Sequence, residues 1–325
     1  MGNLADRICF TFTDAELMVF SKLNTPEKLL LGYFAYLAAA SFFVSLDGRQ
    51  RLVVMVVNGL IAVVLLLVSQ DAREGERGWL AALRPWIPFF FILVAYRESG
   101  LLLTPDPSHR LDYVFIRFDN VILRNHGVLH TLDWGAPWIQ YYFELSYLLC
   151  YPIVPLGLAT LYMVKEEIVR GEESVNDLNA AGTPSPLGAI AMEHFWTAVL
   201  LASLACYFLF PFFPLAPPRE LFDDVPGPRV APLLRAMNHW LLGKYSVGAS
   251  LFPSAHVAAT TAAALAIRRY LPRLGWLFVL VAVSIALATV YGRYHYALDA
   301  VAGGLVGVSA FWVSCRLSKR GSALR

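Results

Sequence analysis

The chain has 325 residues, of which 58% are hydrophobic and 15% charged, with a formal net charge of +2 and a mean hydropathy of +0.56. That balance is more apolar and less charged than a water-soluble domain, so lipid is the expected solvent for much of it. So small a charge, with no long basic tract, gives no footing to a nucleic-acid partner.

A helix that crosses a bilayer takes roughly 20 mostly apolar residues. The first 27 residues carry Asp6, Arg7, Asp14, Glu16 and Lys22 without a compact apolar stretch or a small-residue cleavage site, so the first span is expected to stay in the protein. Apolar runs at residues 29–46 and 52–69 flank the polar turn Asp47-Gly48-Arg49-Gln50-Arg51 and predict a transmembrane hairpin. A third run, from about Trp79 to Leu103, is interrupted by Arg84, Pro85, Pro88, Arg97 and Glu98, which predicts kinks or an inward polar face. Between His109 and Arg124, Leu111, Val114, Phe115, Phe118 and Ile122 recur at helical spacing, opposite Asp112, Arg117, Asp119, Asn120 and Arg124; this reads as an amphipathic helix in the interface plane. Further spans at 138–163, 189–213, 251–267, 274–291 and 297–313 make the expected fold class an all-α polytopic membrane protein of about eight transmembrane helices.

Two connections are long: 164–188 is acidic, bears Gly, Pro and Ser, and is expected to be flexible, whereas 214–250 is rich in proline, arginine and aromatics. The expected division is residues 1–165 as N-terminal helices with the interfacial helix, and 189–316 as a catalytic helical domain. Arg268, Arg269 and Arg273 fill one short loop, and Arg316, Lys319, Arg320 and Arg325 follow the last span. Excess positive charge marks the cytoplasmic side, so both termini are expected there and the intervening helix ends on the other face. Cys150, Cys206 and Cys315 lie in apolar runs and Cys9 stands alone, a spacing that predicts neither a disulfide nor a zinc site.

Chemistry concentrates in three elements. Phe252-Pro253-Ser254-Ala255-His256 opens a small-residue helix whose first N–H groups, around Ser254, are placed to hold an anion, and His256 in the first turn can give a proton to a leaving group. In Arg293-Tyr294-His295-Tyr296-Ala297-Leu298-Asp299, His295 and Asp299 share a helical face. An aspartate there can accept the Nδ1–H, leaving Nε2 free as a nucleophile, with Arg293 adding charge. In Pro214-Leu215-Ala216-Pro217-Pro218-Arg219, proline fixes the backbone and Arg219 is available for bidentate oxyanion contacts, while Lys244 in the same connection can add charge. The helix order brings His256 and His295 to one membrane face. Taken singly, such residues read as snorkelling or helix-end side chains; three elements in this order favour catalysis. Arg97 and Glu98 either face a headgroup cavity or mark a helix end, Glu144, Glu193 and His194 read first as helix-end residues, and the tyrosines and tryptophans near span ends read as an interfacial belt.

Pro253 to His256 and His295 to Asp299, with Ala216 to Arg219 before them, resemble the type-2 phosphatidic acid phosphatase superfamily over about residues 193–316. The resemblance is to the branch that includes fungal inositol phosphorylceramide synthase and related bacterial membrane proteins, which the aromatic stretch 141–157 also resembles. It implies that His295 forms a phosphohistidine, Asp299 orients it, and His256 protonates the leaving oxygen, with Arg219 matching the arginine of the first family motif and no metal or cofactor needed. The family's phosphatases carry a lysine where this chain has Phe212 and an arginine where it has Thr289; Arg293 and Lys244 are candidate substitutes, and the departure turns the reading toward the transferase-like branch. The expected activity is therefore transfer of a phosphoryl-linked, inositol-phosphate-like headgroup from a phospholipid or polyprenyl phosphate donor to a lipid or sugar-alcohol acceptor. A lipid or polyprenyl phosphate phosphatase is the alternative, and a non-catalytic polytopic transporter or scaffold is the alternative of another class.

Overall fold

The computed structural model describes residues 23–71, 83–103, 111–124, 137–172, 186–221, 232–247 and 250–323. Asp6, Arg7, Cys9, Asp14, Glu16, Lys22, Trp79, His109 and Arg325 lie outside them.

Helix α1 (Thr25–Ala40) is started by a reciprocal cap: the Asn24 side chain accepts the Glu27 N–H at 2.9 Å, and Glu27 accepts the Asn24 N–H at 2.8 Å. It turns through residues 41–47 into α2 (Gly48–Asp71), which completes the expected hairpin. A 3₁₀ turn, Arg84–Trp86, leads into α3 (Ile87–Ser99). Arg84 meets Glu27 through two 2.7 Å bonds, so the first of the charges that interrupt the third run is neutralised by α1. Helix α4 (Asp112–Asp119) continues into a π turn, Asn120–Arg124.

The run at 138–163 is two helices, not the single span expected: α5 (Pro137–Leu148) and the first part of α6 (Ile153–Glu172) are bent by 69°. Pro152, which has no N–H to continue the ladder, sits in the break. Helix α6 also runs on through Glu172, into the stretch expected to be a flexible connection, before α7 (Pro186–Leu209) begins. The connection at 214–250 holds structure of its own: β1 (Pro214–Leu215), α8 (Pro218–Leu221), α9 (Pro232–Tyr245) and β2 (Ser250–Leu251). Strands β1 and β2 pair antiparallel, Leu215 opposite Ser250, which ties the two ends of that connection together. Then follow α10 (Ala255–Tyr270), α11 (Pro272–Tyr291) and α12 (Ala297–Ala323).

Among the described residues, α2, α7, α11 and α12 are each long and apolar enough to cross a membrane, and the bent α5–α6 pair is a fifth if taken as one span. Helices α1, α3 and α10, with 16, 13 and 16 residues, are shorter. Large apolar side chains point outward along α2 (Leu60, Leu67), α11 (Leu277, Leu280, Leu287) and α12 (Leu305, Trp312), which suits lipid as the surrounding solvent. The fold is all-α and polytopic.

Helix α10 lies at the centre, packed against α6, α7, α11 and α12. Its alanines 258, 262, 263 and 266 are fully buried, and α7 meets them with Phe195, Val199 and Leu200. In a lipid environment small residues let helix backbones approach, and that approach is what holds such helices together. On α12, a Cβ at Gly303 would lie 2.5 Å from the Ser254 carbonyl oxygen, whereas one at Gly304 would meet nothing within 4 Å. Gly303→Ala should cost about 1–3 kcal/mol through forced separation of α10 and α12. The thermal midpoint of the detergent-solubilised protein should therefore fall for Gly303→Ala and hold for Gly304→Ala; equal midpoints would contradict the packing.

Candidate active site

Ser254 caps α10, its side chain accepting the Val257 N–H at 3.5 Å, and its own N–H donates to the Asp299 carbonyl at 3.1 Å. The first turns of α10 and α12 are thereby joined, with His256 one residue inside α10. At the end of α11 the chain turns through Arg293, whose φ of 59° is left-handed. The N–H groups of Tyr294 and His295 both donate to the Thr289 carbonyl, at 2.9 and 3.0 Å, and the Asp299 side chain accepts the Tyr296 N–H at 3.1 Å to open α12. The arginine-bearing segment joins the same knot: Arg219 N–H donates to the Arg293 carbonyl at 3.2 Å, and Tyr296 Oη–H to the Ala216 carbonyl at 3.1 Å.

Helix α4 closes the knot from outside. Asp112 accepts the Ala216 N–H at 2.7 Å and Asp119 the Ala297 N–H at 3.0 Å, while Phe115 is buried against Phe252 and Tyr296. The polar face of the amphipathic helix thus caps the site segments, because their backbone N–H groups need acceptors that the short loops lack.

The result is a pair of imidazoles. His295 Nδ1 lies 3.3 Å from Asp299 Oδ2; the Asp299 side chain is fully buried and that of His295 is 11% exposed. The His256 ring stands edge-to-face to His295 with 6.2 Å between centres. Both rings line a largely apolar cavity of about 620 Å³, together with Arg219. Arg97 reaches the same cavity, its Nη1 donating to the carbonyls of Tyr245 and Ser246 at 3.2 and 3.4 Å, whereas Glu98 is buried off the cavity wall. Ser254 and Arg293 are buried beside the site rather than on the cavity wall. Lys244 is not brought in: it is exposed on α9.

Of the residues read as helix ends, Glu193 does cap α1, accepting the Thr25 N–H at 3.2 Å, and His194 is buried against Ser314, both outside the cavity lining. Glu144 differs. Its buried carboxylate accepts from Tyr294 Oη–H at 2.7 Å, Arg235 Nη1 at 2.7 Å and Asn238 Nδ2 at 2.8 Å. Tyr147 stacks on Tyr294 at 3.8 Å, and Tyr147 and Tyr151 turn ring edges to His256 at 6.2 and 5.7 Å. Burial, with the Glu144 charge, pushes the Tyr294 phenol above its ordinary range, so it stays a donor. The signal for this cluster was present in a carboxylate placed inside an apolar run, but its partners lie about 90 and 150 residues away.

The site thus sets paired imidazoles and an arginine on the wall of an apolar cavity in an all-helical membrane protein. Residues 189–313, from the start of α7 to within α12, match the family model of the PAP2 superfamily. Over that segment the chain is similar to the PAP2 superfamily, and the match supports an enzyme of the phosphatase or phosphotransferase class. No curated protein and no solved structure gives a significant match.

The left-handed turn at Arg293 separates backbone from side chain. Left-handed backbone costs a non-glycine residue about 1 kcal/mol or more that glycine avoids. Arg293→Gly should therefore melt higher than Arg293→Ala in a thermal scan, although both lack the guanidinium; an alanine variant at least as stable as the glycine variant would contradict the strain.

Proposed function

We propose that the protein is a lipid phosphotransferase, moving a phosphoryl-linked headgroup of the inositol-phosphate kind from a membrane lipid to an alcohol acceptor by way of a phosphohistidine at His295. The observation that carries this reading is the pairing of His295, backed by Asp299, with His256 at 6.2 Å on the wall of a cavity shared with Arg219. An attacking nitrogen needs about 3–3.5 Å to phosphorus and an acid about 2.6–3.2 Å to the leaving oxygen, so a single phosphoryl group fits between two rings so spaced.

In the first step Nε2 of His295 forms a bond to phosphorus, the bond from phosphorus to the lipid oxygen breaks, and the proton of His256 goes to that oxygen. In the second, the neutral His256 takes the proton of the acceptor hydroxyl, whose oxygen bonds to phosphorus as the P–N bond breaks. Asp299 holds Nδ1–H throughout. Arg219 and the N–H groups of Ala255 and His256, the two first-turn residues of α10 that line the cavity, stabilise the equatorial oxygens, the electrostatic contribution that dominates phosphoryl transfer; the Ser254 and Val257 N–H groups are already engaged.

Two features support an alcohol rather than water as acceptor. The cavity wall is largely apolar, which favours lipid chains over water. Thr289, where the phosphatases carry a cation, is fully buried, with its hydroxyl donating to the Ala286 carbonyl at 2.7 Å. Arg268 and Arg269 lie at the far end of α10 from His256, so a cytoplasmic position for them sets the site at the opposite face.

The test is reconstitution with labelled phospholipids, phosphatidylinositol and a polyprenyl phosphate among them, with and without acceptor lipids. Wild type should place label on an acceptor, and His295→Ala should lose about a thousandfold or more in rate, as covalent catalysts do when the nucleophile is removed. Free phosphate as the sole histidine-dependent product would make the protein a phosphatase. Undiminished product from His295→Ala would overturn the mechanism.

A further inference from the structure

A carboxylate with no solvent exposure is costly unless its lone pairs are engaged, and a well-packed apolar residue in its place is often no less stable. Glu144 therefore calls for an explanation beyond packing. Its three donors come from two elements: Arg235 and Asn238 from α9, and Tyr294 from the turn that carries His295. Asn238 Nδ2 also donates to the Glu144 main-chain carbonyl at 3.0 Å, which fixes α9 against α5 in both position and rotation. Helix α9 in turn supplies Leu241, Leu242 and Tyr245 to the cavity wall.

We propose that Glu144 is a positioning residue for the reaction: through Tyr294 it sets the line of His295 toward His256, and through Arg235 and Asn238 it locks α9 onto the cavity. The inference rests on the reading of His295 as the phosphoryl acceptor. The backbone of the His295 turn is held by the Thr289 carbonyl, which takes the Tyr294 and His295 N–H groups, and by the Arg219 N–H on the Arg293 carbonyl, whereas the Tyr294 side chain beside His295 is held by the Glu144 carboxylate, which takes the phenol. Without the carboxylate the phenol loses its acceptor, the Tyr294 ring is free to shift in its stack, and the adjoining His295 imidazole is displaced on its Asp299 contact. Tyr147, on the same face of α5 as Glu144, stacks on Tyr294 and faces His256, so one helix registers both imidazoles. Glu144 itself is not on the cavity wall, so it acts through these neighbours rather than on substrate.

Tyr294→Phe removes one O–H and keeps the stack; Glu144→Gln keeps the volume and removes the charge. Each should lower kcat in the labelled-lipid assay by about ten- to a hundredfold, the scale of a misplacement of about 1 Å, with KM changed less than about threefold. The double variant should be no worse than the poorer single, because both cut one link. Glu27→Gln breaks a buried carboxylate–guanidinium pair remote from the cavity, and should lower the thermal midpoint while leaving kcat unchanged. A second readout needs no substrate: carbethoxylation of His295 by diethyl pyrocarbonate, followed by mass spectrometry, should be severalfold faster in both single variants as the ring leaves Asp299. Unaltered kcat and unaltered labelling in Tyr294→Phe and Glu144→Gln would overturn the proposal. His295→Ala run alongside separates the two readings: turnover by that variant defeats the phosphohistidine, while the labelling rates still decide whether Glu144 positions the ring.

Discussion

One main-chain hydrogen bond, from Ser254 N–H to the Asp299 carbonyl at 3.1 Å, joins the first turns of α10 and α12, and the geometry of the site hangs on that joint. It can form only because Gly303 lets the two backbones approach to a distance that a side chain would fill. Once the turns are joined, His256 and Asp299 are fixed relative to each other, and the Asp299 side chain, by capping Tyr296, fixes where His295 begins. Arg219 arrives through its own backbone bond to Arg293, so its charge reaches the cavity by the same logic of donors seeking acceptors where the chain is neither helix nor sheet.

The joint alone would leave the imidazoles on an open helix end. What encloses them comes largely from other elements: α3 supplies apolar walls and Arg97, the α5–α6 bend supplies the tyrosines about His256, and α9 adds wall beside Ser203 and Tyr207 of α7. The 69° bend is central here, because a straight helix through residues 138–163 would carry Tyr147 and Tyr151 along a single axis instead of around the His256 ring. Apolar enclosure strengthens every charge interaction inside it.

Much of this was legible in the sequence, and the part that was not has a physical reason. The alternation of apolar runs and polar turns predicted the helices, since each run must bury its side chains in lipid or against neighbouring helices. His295 and Asp299 were readable because their relation is local, one helical turn. Glu144 was not, because its role exists only once α5, α9 and the α11–α12 turn have met. The bend at Pro152 was masked by continuous hydropathy across it, and α9 by the prolines and arginines that surround it. Lys244 was drawn in by charge and chain position, neither of which specifies that α9 leaves it exposed.

The stereochemical course at phosphorus tests the central claim most directly. Two successive in-line displacements, through a bond to His295 and out of it, each invert the phosphorus and together restore it. With a donor made chiral by sulfur substitution at phosphorus, the account predicts a transferred product of retained configuration. A product of inverted configuration would mean a single direct displacement, with no covalent intermediate on the histidine.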